Sequence, residues 1–313
     1  MIALSTVYSI SKHTNPFSLI DEIKSLGFSK VELNVEVPED FILEIAKKLK
    51  VVSIHNYCPK LDTIPDGRTI YSPYNISSLD DNERKTAITL TKKTIDVAND
   101  IGAGAVVFHT GEVQMELSGR ILAKKYNETG GGKEYPEFFN AFLSERKLKL
   151  KPFIENVLIS LDEILEYASR KNVRLGLENR FWANEIPSLE DYKIIFQKFE
   201  TDYLGLWYDV GHAYVAEKQR VISSHLDFLK DFSSKIIGMH LHDVIGVYDH
   251  KAPGTGEVDF KKISEFVKDT TILVNETHKS ATKEQLQNSK TYLKNCGFIK
   301  PCLLASQKRG RCN

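Results

Sequence analysis

The feature that most restricts this chain is an alternation, repeated eight times, of a short apolar run with a longer amphipathic one. Residues 2–5, 31–33, 51–55, 105–109, 174–178, 204–208, 236–241 and 271–275 form β-type apolar runs. Such runs suit the strands of a parallel sheet buried on both faces. Between them the spacing turns helical. In residues 16–26, Phe17, Leu19, Ile20, Ile23 and Leu26 recur at helical intervals, and Gly27 ends the run. Further helices are expected over 38–49, 80–101, 151–171, 189–199, 217–232 and 260–267, with a last one containing 285–293. Eight strand–helix units in about 290 residues predict a closed (β/α)8 TIM barrel, which typically takes ~250 residues plus insertions. An open doubly wound sheet usually carries a GxGxxG loop after its first strand, and residues 5–14 contain no glycine.

The expected organisation is one barrel domain over residues 1–295, with a long insertion after strand four at about 111–150, and a tail over 296–313. The insertion carries Gly130-Gly131-Gly132 and many charges, the signature of a functional or mobile loop. Its Lys124, Lys125, Lys133, Arg146, Lys147 and Lys149, with Lys151 just beyond, read as a basic arm or as a solvated surface. The interleaved acids favour the surface. Lys308, Arg309 and Arg311 mark a tail without apolar period, expected to be loosely held.

Composition narrows the function classes. Lys plus Arg is 42 and Asp plus Glu is 42, so the chain lacks the basic surplus on which nucleic-acid binders draw. A local basic face is the remaining route to such a partner. No apolar run reaches the ~20 residues that span a bilayer, and residues 1–5 read as a first strand rather than a signal peptide. Of the cysteines, Cys58 stands alone, and Cys296, Cys302 and Cys312 fall in the last 18 residues without CxxC spacing. They cannot staple the core, and a reducing cytoplasm is expected.

The polar residues fall where a barrel performs chemistry, at the C-terminal ends of its strands. His55, His109, Glu178, Asp209 with His212, His240 with His242, His250 and Glu276 all lie at or just past a strand end, and they include six of the nine histidines. Several imidazoles and carboxylates converging on one point suit a divalent cation. Without one, three neighbouring carboxylates could not all stay ionised. His240 and His242 are two apart and are expected on one face of their strand.

These segments resemble the xylose isomerase-like TIM barrels, a superfamily of sugar and sugar-phosphate isomerases and epimerases that also includes endonuclease IV-type apurinic-site nucleases. The resemblance runs over about residues 2–295. It rests on Val52-Ser53-Ile54-His55, Val107-Phe108-His109-Thr110-Gly111, Leu175-Gly176-Leu177-Glu178-Asn179, Tyr208-Asp209-Val210-Gly211-His212, His240-Leu241-His242-Asp243, His250 with residues 253–260, and Val274-Asn275-Glu276. It implies a core metal site of Glu178, Asp209, Glu276 and either His240 or His242. The nuclease branch further implies His55 and His109 sharing Glu178 with a second metal. There, His212, His250 and an aspartate two residues before His250 hold a third. This chain has Tyr248 at that position and Asp249 one residue later.

Two enzymatic readings follow. For an isomerase or epimerase, the resemblance implies Glu178 and Glu276 as acid and base, exchanging a proton beside a carbonyl. Mn²⁺, Mg²⁺, Co²⁺ or Zn²⁺ stabilises an enediolate-like transition state, and His212 and Arg180 bind hydroxyls or a phosphate. For a nuclease, the same residues gather metals for attack on a phosphodiester of abasic DNA. A third reading is a barrel that binds a ligand without catalysis. Other residues carry paired readings. His55 and His109 are rim ligands or core histidines, and Glu32 a substrate contact or a structural ion pair, the latter preferred. Gly254 and Gly256 shape a phosphate-binding turn or a plain reversal, Asp259 is a helix N-cap, Phe181 and Trp182 wall a pocket or pack the loop, and Cys58 is a small core residue.

Overall fold

In the computed structural model, which describes residues 1–299, the eight apolar runs close into a parallel barrel. Its strands are β1 (Ala3–Ser5), β2 (Lys30–Leu33), β3 (Lys50–His55), β4 (Ala105–Phe108), β5 (Arg174–Glu178), β6 (Leu204–Asp209), β7 (Ile236–Leu241) and β8 (Ile272–Asn275). Each pairs with its neighbours in sequence, and β8 closes on β1. The helices are α1 (Pro16–Ser25), α2 (Glu39–Lys48), α3 (Asp81–Asp100), α4 (Gly119–Thr129), α5 (Tyr135–Arg170), α6 (Leu189–Lys198), α7 (Val210–Lys218), α8 (His225–Phe232), α9 (Phe260–Ser264) and α10 (Lys283–Asn295). No helix among the described residues is long and apolar enough to cross a membrane.

Local chemistry sets the ends of these elements. Asn15 caps α1, with Pro16 in the first turn where its missing N–H costs nothing. Ser188 with Asp191, and Thr282 with Gln285, form capping boxes that start α6 and α10. Asp259 caps α9 by accepting from the Lys262 N–H, as expected.

The main apolar layer lies between the barrel wall and its helices, with Leu4, Val31, Ile54, Phe108, Leu177 and Leu206 fully buried. Inside the barrel the filling is different. Trp207 is fully buried on the axis among Ala3, Ala105, Val107 and Val274. Gly176 and Gly238 make room for its ring: a Cβ at Gly238 would stand 2.2 Å from Trp207 Cζ3, and one at Gly176 2.8 Å from Cε3. The indole meets His240 edge-on, with ring centroids 5.4 Å apart. The barrel is therefore packed solid beneath its C-terminal rim, as in barrels generally.

The insertion is not the loop expected. It holds α4 and the first half of α5, a 36-residue helix that runs through Pro152. Buried Phe142 and Arg146 before the proline, and Phe153, Ile154 and Val157 after it, anchor both halves. Those contacts outweigh the one intrahelical bond that proline forfeits. Its charges pair locally, as Lys125 with Glu134 and Lys149 with Glu145, in keeping with a solvated surface. The helix expected over 217–232 is instead two, α7 and α8, with Arg220 between them in the left-handed region at φ 60°. Of the tail, Phe298 is buried against Phe260. Cys302, Cys312 and the basic cluster from Lys308 lie outside the described residues.

Candidate active site

The strand ends bring the predicted acids and imidazoles together. Four ligand atoms, one each from Glu178, Asp209, His240 and Glu276, lie within 4.8 Å of one another and are buried. Asn179 sets the strand ends in register: its Oδ1 accepts from the Asp209 N–H and its Nδ2 donates to the Asp209 carbonyl, at 2.7 and 2.9 Å. His240 Nδ1 stands 3.2 Å from Glu178 Oε1, 3.2 Å from Glu276 Oε2 and 3.6 Å from Asp209 Oδ2. Its other nitrogen, Nε2, meets the buried Glu32 carboxylate at 3.0 Å, and Ser53 steadies that carboxylate from its far side. A carboxylate behind an imidazole fixes ring orientation and leaves the other nitrogen to face the site. Glu32 is thus an ion-pair partner, as preferred, but its partner is a site residue.

His242 stands one residue past the end of β7 and, with His240, faces Asp209 Oδ2, at 2.9 and 3.6 Å. The His242 ring lies over Gly211, where a Cβ would come 2.1 Å from Cε1. Its Nδ1 accepts the His250 backbone N–H at 2.9 Å, so Nε2 carries the hydrogen that faces Asp209 Oδ2, also at 2.9 Å. Both nitrogens are taken, and His242 holds Asp209.

A second group consists of His55, His109 and Glu178. His55 Nδ1 faces the Asn56 carbonyl at 3.1 Å and His109 Nδ1 the Tyr71 carbonyl at 3.2 Å. His55, whose imidazole is held above its ordinary value against burial by the surrounding carboxylates, donates its Nε2 hydrogen to Glu178 Oε2 at 3.3 Å. The Tyr71 contact assigns the His109 hydrogen to Nδ1, so its Nε2, 2.6 Å from Glu178 Oε2, has none to give that oxygen, and the Arg180 guanidinium beside them is the donor to both. A third gathering joins His212, His242 and His250. Asp249, displaced by one residue from the nuclease pattern, still places Oδ2 3.5 Å from His212 Nε2 and 3.6 Å from His250 Nε2. Tyr248 is 71% exposed and takes no part.

The electrostatics separate these groups. Burial pushes the Glu276 carboxyl up to about 8; His240 opposes the rise, and the neighbouring Glu178, Glu32 and Asp209 add to it. Burial also works against charge on Glu178, yet the imidazoles packed against it outweigh that and hold the carboxyl well below the usual range. For His240 the carboxylates Glu276, Glu32, Asp209 and Glu178 overcome burial and hold the imidazole well above its ordinary value. Burial, then the Arg180 guanidinium, push His109 down to about 3. Two glutamates in one cavity with opposed proton affinities are a usual basis for assigning an acid and a base.

Arg180, expected at a substrate hydroxyl or phosphate, lines the cavity and is held from behind. Its Nε and Nη2 donate to Glu185 Oε1 at 3.0 and 2.9 Å. The glycine turn offers no anion seat either. The N–H groups of Gly254, Gly256, Val258 and Val244 all point at the buried Asp243 carboxylate, at 2.8–3.1 Å. The turn binds a carboxylate of its own chain. His278 was not anticipated. Two residues past Glu276, it stacks on His250 with centroids 3.7 Å apart and lines the cavity. Phe181 packs edge-on against both Trp182 and His212. Cys58 is buried, and burial pushes its thiol up to about 12, so it is a core residue.

Solved structures of similar fold include a D-tagatose 3-epimerase-like protein, at 20% identity and TM-score 0.66, with 94% of this chain and 96% of that one covered. An L-ribulose 3-epimerase aligns at 17% identity and TM-score 0.66, over 95% and 94%. At these identities the likeness is one of fold. The uncharacterized protein y4fM of Sinorhizobium fredii is 25% identical over 194 residues, 62% of this chain and 52% of its own length. The chain spans about half the length of the curated relatives it matches. The profile of the xylose isomerase-like TIM barrels (AP_endonuc_2) matches residues 20–302. With a closed eight-stranded barrel and a match over most of its length, this chain belongs to the xylose isomerase-like TIM barrel family.

Proposed function

We propose that the chain is a metal-dependent isomerase or epimerase of a small carbohydrate, acting in the cytoplasm by proton transfer beside a carbonyl. The observation that carries this reading is the convergence of Glu178, Asp209, His240 and Glu276 beside a cavity of about 170 Å³ that Glu178 and Glu276 both line. The donor set fits a divalent cation: three carboxylates meet one imidazole nitrogen, and Glu276 resists ionisation in that company. Mn²⁺, Mg²⁺, Co²⁺ and Zn²⁺ all accept such mixed donors. When bound, the cation supplies Lewis-acid polarisation of a carbonyl and its neighbouring hydroxyl. The chain's own residues then move the proton. Glu178 takes it from the carbon beside the carbonyl, and Glu276 returns one. His212, His250 and His278 line the same cavity and bind hydroxyls.

The relatives in fold named as sugar epimerases support a carbohydrate substrate. The filled glycine turn favours one without phosphate. A second reading, phosphodiester hydrolysis at abasic sites, draws on one observation: two further ligand groups adjoin the first, and Glu178 is common to two of the three. The experiment is carbon-bound deuterium uptake by candidate ketoses in heavy water, run beside cleavage of an abasic-site duplex, with manganese-loaded protein. Uptake should occur, and Glu178→Gln should lower it by about 10²–10⁴-fold with the fold intact. Duplex cleavage without uptake reverses the two readings, and neither activity leaves a binding barrel.

A further inference from the structure

The second ligand group differs from the first in one respect: it already holds a cation. Arg180 Nη1 lies 2.5 Å from His109 Nε2 and 3.4 Å from Glu178 Oε2. The His109 Nδ1–H is committed to the Tyr71 carbonyl, so its single acceptor lone pair, on Nε2, receives the guanidinium hydrogen. That is the lone pair a metal at this group would need. Glu178 is divided in the same way, Oε1 toward His240 and the inner group, Oε2 toward His55, His109 and Arg180.

The guanidinium is not placed there by chance rotation. It is clamped from behind by Glu185, whose Oε1 takes both Nε and Nη2 and whose Oε2 accepts the Trp182 N–H at 2.8 Å. Glu185 belongs to a short strand, Glu185–Ile186, paired with Gly111–Glu112 across the barrel mouth, and is buried. Among the described residues, Arg180 is the only lysine or arginine lining the central cavity. A fixed monocation with planar donors neutralises Glu178 Oε2 without offering an exchangeable coordination position.

We propose that Arg180 is a built-in substitute for a metal ion at the His55–His109–Glu178 group. That group then binds no divalent cation, and the functional ion is held by Glu178, Asp209, His240 and Glu276. The inference rests on the metal-dependent reading above and extends it. The outer half of the Glu178 carboxylate is permanently balanced, its inner half is left for one ion, and the second ion position of the nuclease branch is filled by a side chain of this sequence.

The test is a map of bound metal, independent of turnover. Crystals of the wild-type chain soaked in manganese or zinc should give an anomalous peak at the inner group and none between His55 and His109. Arg180→Met should add a peak between the two histidines, and equilibrium dialysis should show one more equivalent of zinc per chain than wild type. A wild-type peak between His55 and His109, with Arg180 displaced, overturns the proposal and leaves the metal-dependent reading standing. So does an Arg180→Met protein that folds, binds at the inner group and gains nothing. Absence of metal at both groups of the wild-type chain overturns the metal-dependent reading and this proposal with it. The wild-type map decides even if the variant does not fold.

Discussion

Replacing Glu276 by Gln should stabilise the metal-free protein at alkaline pH while removing its activity. Burial holds the Glu276 carboxyl up to about 8, against an ordinary value of 4.5. Between those values the folded state keeps a proton that the unfolded chain releases, so stability falls as pH rises through the window. At about 1.4 kcal/mol per pH unit, the loss reaches about 5 kcal/mol by the top of the window, an upper bound because local relaxation and water entry relieve part of it. Gln has the shape of the protonated acid and does not titrate. The two proteins should therefore melt together near pH 4.5 and separate progressively toward pH 8. For a chain of this length a gap of that size corresponds to roughly 10 °C in Tm. Other groups that titrate in this window act in both proteins. The difference between them, not either slope, is therefore the diagnostic. The assay is thermal or urea unfolding followed by circular dichroism, in chelator, at several pH values. Manganese should raise the wild-type midpoint more than the variant's, because the ion removes the penalty only where the carboxylate exists. A constant gap across pH, or a variant less stable than wild type at pH 8, would refute the account of a carboxyl kept neutral by its surroundings.

Three further outcomes follow from particular contacts. Gly211→Ala should drive the His242 ring off Asp209 and the His250 N–H, since the new Cβ would stand 2.1 Å from Cε1. Overpacking of this kind costs about 1–3 kcal/mol, read as a lower urea midpoint at unchanged slope. Glu32→Gln should weaken metal binding about 10–100-fold with the fold retained, since it alters the group that orients His240; titration calorimetry with Mn²⁺ measures it. Asp243→Ala should cost about 2–3 kcal/mol, because four backbone N–H groups lose their acceptor, two of them, at Val244 and Val258, in buried residues. A melt within a degree of wild type would show that the turn does not depend on its carboxylate.

The barrel was legible because each strand is an apolar run bounded by helical spacing, and observed strand ends fall within about one residue of those expected. The rim was legible because polar residues at strand ends interrupt those runs. Two kinds of information were not. One is the continuation of α5 through Pro152, which local chemistry opposes and buried anchors on either side enforce. The other is direction. His240 and His242 are alike in sequence and both reach Asp209 Oδ2, but only His242 lies in the hollow that Gly211 leaves. Glu32 is 208 residues from the His240 it orients, and Arg180 reaches His109 across 71, separations at which sequence carries no pairing signal. His278 had a local clue, its spacing of two from Glu276, but no charge partner to mark it.

The buried indole of Trp207 has a consequence for traffic. With its ring seated on two glycines, it plugs the barrel's axis like a stopper beneath the cavity that Glu178 and Glu276 line. Sugar, ion or hydronium therefore reaches the two glutamates from the rim side and not along the axis, and a ligand seated in their cavity covers both together.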